Sequence, residues 1–223
     1  VVTKPKRQTL TERRAEELRM TIALTARDLF VADGDTSATV ERICEIVGIA
    51  PRTFHRHFPV KEDVLMPLLR RSERIVLQAL EEVPDDADPV EALASALTLE
   101  VGSRQVPEFD RRLVTLIVNA PQYRLRFVGW SEGLADGITQ FLSRYYELDS
   151  DPFLRVLPAR LVVQTLRHAI FHWVDTGNSG DYAEVEKLEL QGFRMALSGL
   201  KAITAKRVAS TRAPANSAGS AGS

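Results

Sequence analysis

Residues 39–58 read TVERICEIVGIAPRTFHRHF. Thr39 stands where an N-cap belongs, just ahead of an apolar periodic run. Val40, Ile43, Cys44 and Val47 recur at i, i+3, i+4 and i+7, a spacing that buries one face of a helix. Gly48 follows at the stop position, where a left-handed residue closes a helix and glycine adopts that conformation freely. Pro51 falls in the first turn of the next helix, where its missing N–H has no intrahelical partner to lose. Phe54 is the apolar residue that ties this second helix to the first, and Pro59 ends it after about two turns. Two helices joined by a short glycine-containing turn make a helix-turn-helix. Such a unit lays its second helix in the major groove of DNA.

The second helix is polar around its one apolar anchor. Arg52, Thr53, His55 and Arg56 surround Phe54. Arginine can grip guanine O6 and N7 with two hydrogen bonds, and the threonine methyl suits the thymine methyl. Residues near the start of a recognition helix face base edges. Pro51, Arg52 and Thr53 are therefore the expected base contacts, with Arg56 beside them on the DNA-binding helix. Thr39, His55 and Lys61 are expected at phosphates, where they set register and not sequence. A plain helical hairpin with a solvated face would have the same composition. The positions of Gly48, Pro51 and Phe54 favour the DNA-binding reading.

The 223 residues allow one large or two small domains. Apolar content of 44% and charged content of 26% are those of an ordinary soluble globular protein. No run is apolar enough to span a membrane, and the N-terminal residues have no signal-peptide pattern. The single cysteine, Cys44, rules out an intramolecular disulfide and sits on an apolar helix face, as a small core side chain does. These features give an expected cytoplasmic location with no membrane partner. The net charge of −1 does not advertise DNA binding, but residues 1–75 carry 14 Lys+Arg against 11 Asp+Glu. Lys4, Lys6, Arg7, Arg13 and Arg14 could form a basic arm along DNA, or a solvated terminus.

The pattern along the chain is all-α, with about nine helices and no useful strand alternation. The spacing predicts a first helix over 11–32, the two helices of the motif, a fourth over 61–83 with Pro67 shifting its start, and five more over 90–106, 108–119, 122–146, 157–175 and 182–203. This divides the chain into a helix-turn-helix DNA-binding domain at 1–60, a larger helical effector-binding and dimerisation domain at 61–205, and a small, polar, disordered tail at 206–223.

The stretch TVERICEIVGIAPRTFHRHFPVKEDVL, residues 39–65, resembles the N-terminal signature of the TetR family of transcriptional regulators. The matching positions are Thr39, Ile43, Cys44, Gly48, Ile49, Ala50, Thr53, Phe54, His55, His57, Phe58, Lys61, Glu62 and Leu65. Three depart from the usual pattern: Ala50 replaces a Ser or Thr cap, His55 an aromatic at a phosphate, and Val60 a Ser cap. The resemblance implies a homodimer that reads a roughly palindromic double-stranded operator. It also implies a small-molecule pocket in the C-terminal domain, and dimerisation through the last two long helices. The segment RRLVTLIVNAPQYRLRFVGW, residues 111–130, is similar to regulators with an acyl-CoA-like ligand-binding domain, which implies an amphipathic effector such as a fatty acyl thioester. The expected activity is repression relieved by that ligand, and not enzymatic catalysis.

Pocket candidates follow from residue type. Tyr123, Phe127, Trp130, Phe171 and Trp173 could form an aromatic wall, with Arg124, Arg126 and Arg167 pairing an anionic head group. His168 and His172 lie one turn apart on one helix face. They have no evident third ligand, so no metal is assigned, and they are expected to line the pocket or to hydrogen-bond at the dimer interface. No cofactor fingerprint occurs. A ligand-independent DNA-binding protein is the alternative, followed by an all-helical enzyme using His168 and His172.

Overall fold

The computed structural model describes residues 9–102, 111–176 and 182–211. Among them every regular element is helical: α1 (Leu10–Asp33), α2 (Val40–Val47), α3 (Pro51–His57), a 3-10 turn (Lys61–Leu65), α4 (Met66–Glu81), α5 (Pro89–Gly102), α6 (Arg111–Asn119), α7 (Pro121–Leu142), α8 (Pro152–Asp175) and α9 (Tyr182–Thr211). The all-α expectation holds, and the differences from it lie at the helix ends.

The start of α1 is fixed by a reciprocal cap. Thr9 Oγ1 accepts from the Glu12 N–H at 3.2 Å, and the Glu12 carboxylate accepts from the Thr9 N–H at 2.7 Å. Gly34 ends the helix with φ of 74°. Ile22, Ala26 and Phe30 form its buried face. The expected single helix over 61–83 is split. Lys61–Leu65 wind as a 3-10 turn, and α4 begins at Met66 with Pro67 in its first turn. A continuous helix from residue 61 would have needed an N–H from residue 67, which proline lacks.

α8 begins at Pro152, ahead of the expected residue 157, and carries Pro158 inside the helix. Asp151 supplies the cap, its Oδ1 accepting from the N–H groups of Phe153 at 2.9 Å and Leu154 at 3.1 Å. That cap secures the first turn ahead of the bond lost at Pro158. α7 stops at Leu142, short of the expected residue 146. The next residues leave the helix to hold the far end of α4. Arg144 donates to the Leu80 carbonyl at 3.0 Å and Tyr145 to the Pro84 carbonyl at 2.7 Å. α9 continues through 206–211, where the disordered tail was expected. Residues 212–223 lie outside the described residues, as do Lys4, Lys6 and Arg7 of the basic arm. Arg13 and Arg14 are exposed on the first turns of α1.

The short helix α2 packs on α1 and α3 on α2, while α7 packs on α4 and α8, and α9 on α5 and α8. Buried side chains run without a break from Ile22 in α1 to Leu197 in α9. At two glycines an added Cβ would press on a side chain of the neighbouring helix, which would have to shift. A Cβ on Gly137 would lie 2.2 Å from Leu77 Cδ2 between α7 and α4, and one on Gly192 would lie 2.3 Å from Thr165 Cγ2 between α9 and α8.

Candidate nucleic-acid interface

The helix-turn-helix is built by its own local chemistry. Thr39 Oγ1 accepts from the Arg42 N–H at 3.2 Å and caps α2. Gly48 has φ of 75°, and its N–H and that of Ile49 both donate to the Cys44 carbonyl, at 2.9 and 3.0 Å. That pair turns the chain sharply into α3. Ala50 supplies no side-chain cap; its carbonyl accepts from Thr53 and Phe54 instead, at 2.8 and 3.2 Å. Phe54 is fully buried and packs on Phe58 with ring centroids 5.3 Å apart. Cys44 is buried as expected, and burial pushes its thiol pKa up, with a smaller push from Glu41. A guanidinium fork from Arg42 to Asp33 ties α2 to the end of α1.

Around the Phe54 anchor, α3 presents an acid-free surface. Pro51, Arg52, His55 and Arg56 are exposed and Thr53 is half-buried. Arg56 lies in the last turn, where positive charge complements the helix dipole. Thr39 is exposed at the start of α2.

Lys61 departs from its expected place. Its ammonium donates to the carbonyls of Thr36 at 3.0 Å and Ala38 at 3.1 Å, and stands 6.0 Å from the centre of the Phe30 ring. It closes the loop that leads into α2, so most of its donor capacity is engaged inside the protein. The K-E-D pattern gave no hint of this, because its partners are more than 20 residues away in sequence.

The pocket candidates do not converge on one chamber. Phe127 packs against Trp130 and Phe171 with centroids 5.4 and 6.2 Å apart, an aromatic cluster between α7 and α8. Tyr123 is buried on the other side, against Phe30 of α1. Arg124 is exposed and lies over the Phe171 ring at 4.1 Å. Arg126 pairs with Asp63 at 2.7 Å. Arg167 is already matched by Glu132 at 2.5 Å and also donates to Gln164. Trp173 is buried. His168 and His172 are exposed and line a groove of about 610 Å3 between α8 and α9, beside Leu161, Leu188 and Met195. They lie on the outer surface of the bundle because residues 162, 163, 166 and 170 form the inner face of α8. Among the described residues no His, Cys, Asp or Glu cluster completes a metal site, and no helix is long and apolar enough to cross a membrane.

A capped helix-turn-helix with a basic second helix, carried on a larger helical body, defines a DNA-binding regulator. Residues 22–66 match the family described as bacterial regulatory proteins, tetR family. The HTH-type transcriptional regulator TcmR of Streptomyces glaucescens is 27% identical over 153 residues, covering 66% of this chain and 68% of that one. Among solved structures, a transcriptional regulator from Rhodococcus sp. Rha1 superposes with a TM-score of 0.55 at 16% identity, covering 81% of this chain and 96% of the other. NalD, the secondary repressor of the MexAB-OprM multidrug efflux pump in Pseudomonas aeruginosa, gives 0.54 at 19% identity, covering 80% and 96%. Residues 22–66 are a tetR-family DNA-binding unit, and the chain is similar to a DNA-binding transcriptional regulator over 153 residues.

Proposed function

We propose that this regulator acts as a homodimer bound to a roughly palindromic operator, and that a small amphipathic ligand releases it. The observation that carries the reading is the acid-free, exposed surface of α3 around buried Phe54. Arg52, with Pro51 and Thr53 at the start of that helix, reads bases. His55, Arg56 and the Thr39 hydroxyl hold phosphates; Thr39 Oγ1 accepts one backbone N–H and keeps its own proton to donate. Dimerisation through α8 and α9 is supported by Leu161, Leu188 and Met195, large apolar side chains left exposed around one groove. Two copies related by a twofold axis would set two α3 helices one turn of DNA apart. The likeness of residues 111–130 to acyl-CoA-responsive regulators supports a fatty acyl compound as the ligand class.

Selection of bound duplexes from a random pool tests this directly. A palindrome with two half-sites is expected to enrich, and an acyl thioester is expected to release it. Enrichment without release by any amphipathic compound would favour a ligand-independent DNA-binding protein, and no enrichment would remove the reading altogether.

A further inference from the structure

Between the DNA-binding unit and α7 lies a cleft of about 570 Å3, a volume within the range of small-molecule sites. One wall includes Phe58 at the end of α3, Met66 and Arg70; the other is Leu125, Gly129 and Trp130 of α7. The charges around it can be counted. Arg19 is matched by Glu16 at 2.9 Å and Arg126 by Asp63 at 2.7 Å, and these two acids are the carboxylates that line the cleft. Arg70 is exposed and has no ion-pair partner among the described residues. His57 also lines the cleft; burial first, then Arg19 and Arg56, hold it below the ordinary imidazole value, which disfavours its charged form. One guanidinium is left over.

The apolar surface is equally specific. Leu125 is 70% exposed at the mouth, an unusual place for a large aliphatic side chain. Trp130 is 5% exposed, and its indole N–H is buried without an acceptor. Met66 adds an adaptable thioether.

We infer that this cleft is the effector site of the regulator and takes an amphipathic anion, its head group on Arg70 and its apolar body against Met66, Leu125 and Trp130. The inference rests on the ligand-released repressor proposed above and assigns its ligand a place between α4 and α7, where the helical body meets the end of α3. One wall runs from the end of α3 into α4, and the other is α7. A molecule wedged between Phe58 and Leu125 therefore favours one setting of α3 relative to α7 over another. A ligand shifts such an equilibrium only as far as it binds one setting more tightly. The Arg126–Asp63 pair spans the same gap and would open or persist with the change.

The test uses the full chain, with dodecanoate, dodecanoyl-CoA and neutral dodecanol as probes, and reads both calorimetric binding and operator release. The two anions separate a free carboxylate from a thioester carrying its own phosphates. Gly129→Leu fills the cleft: a Cβ there meets nothing within 4 Å, and leucine is the better helix former, so the variant keeps its fold. At least one anion is expected to bind with one site per chain and to weaken operator binding. Arg70→Gln is expected to reduce anion affinity by about tenfold, the loss of a charge-assisted contact, while leaving dodecanol unchanged. Gly129→Leu should abolish binding of every probe and leave operator affinity intact without them. Several results overturn the inference: no saturable binding of either anion, binding undiminished in Gly129→Leu, equal sensitivity of dodecanol to Arg70→Gln, or cleft binding that leaves operator affinity unchanged. Failure to select an operator strikes the repressor reading alone, because calorimetry reports on the cleft without DNA.

Discussion

The phenol ring of Tyr123 stands edge-on against Phe30, with centroids 5.4 Å apart and planes at 69°. This pair joins the first turn of α7 to the end of α1, so the C-terminal body grips the DNA-binding unit through two fully buried rings. The Tyr123 hydroxyl is buried there without a hydrogen-bond partner. Such a group costs about 1–3 kcal/mol when left unmatched, so Tyr123→Phe is expected to stabilise the chain by about 1 kcal/mol in urea unfolding. Tyr123→Ala, which removes the ring as well, is expected to cost about 3–5 kcal/mol.

The same hydroxyl sets an alkaline limit. Burial first, then the charge of Glu62, hold the Tyr123 phenol above its ordinary value of about 10. The folded state therefore holds that proton more tightly than the unfolded chain. The resulting stability is present below pH ~10 and is lost as pH rises above it. Tyr146, raised by burial and by Asp88, acts in the same direction. Tyr123→Phe should move the alkaline unfolding midpoint upward, with Tyr146 accounting for what remains. An unmoved midpoint would show that Tyr123 does not contribute.

Thr39 combines two roles that substitutions can separate. As the α2 cap it is worth about 0.5–2 kcal/mol, which Thr39→Ala should remove. Thr39→Asp keeps a capping oxygen and complements the helix dipole, so stability should survive. A carboxylate beside a phosphate is repelled, so operator affinity should still fall. If Thr39→Asp binds DNA as well as the parent does, Thr39 lies away from the backbone.

Lys61 reverses its expected role. Its two carbonyl partners make it a tether of the loop before α2, and charged hydrogen bonds contribute about 1.5–3 kcal/mol each. Lys61→Met should lower thermal stability while leaving the salt dependence of DNA binding unchanged. A phosphate contact would instead reduce the salt slope by about one and spare stability.

These cases show which parts of the chain were legible in its sequence. The turn at Gly48, the Thr39 cap and the Phe54 anchor depend on residues within a few positions of one another, so spacing alone located them. Pro67 marked the shifted start of α4, whereas the start of α8 rests on the Asp151 cap, ahead of the expected start at residue 157. The pocket was illegible for a different reason. Arg126 finds Asp63, Arg167 finds Glu132 and Tyr123 finds Phe30 across long stretches of sequence. Residue type gave each a plausible ligand, while packing gave each a protein partner. Arg70, Leu125 and Gly129 offered no pattern at all, since a cleft between packed helices has no period.

The α8–α9 face offers a sharp test of assembly. Met195 is 78% exposed and borders the groove that holds His168 and His172. Met195→Glu should barely change the stability of a single chain, because an exposed site loses little. Placed at a twofold interface, the two new carboxylates would oppose each other, and sedimentation should show monomers. A variant that remains dimeric would mean that the copies meet elsewhere.

Arg52 decides whether α3 reads sequence or only touches DNA. It is exposed one residue after the proline that opens the helix, and its fork can match guanine O6 and N7. Arg52→Ala is expected to cost about 1–3 kcal/mol on the selected operator and to relax preference at one base pair in each half-site. Arg52→Lys, which keeps the charge but loses the planar fork, should recover affinity for nonspecific DNA and not the lost preference. Binding measured on the operator and on single-base variants checks this. If Arg52→Ala weakens all sequences equally, Arg52 is a phosphate contact, and the base-reading residues must be sought at Pro51, Thr53 and Arg56.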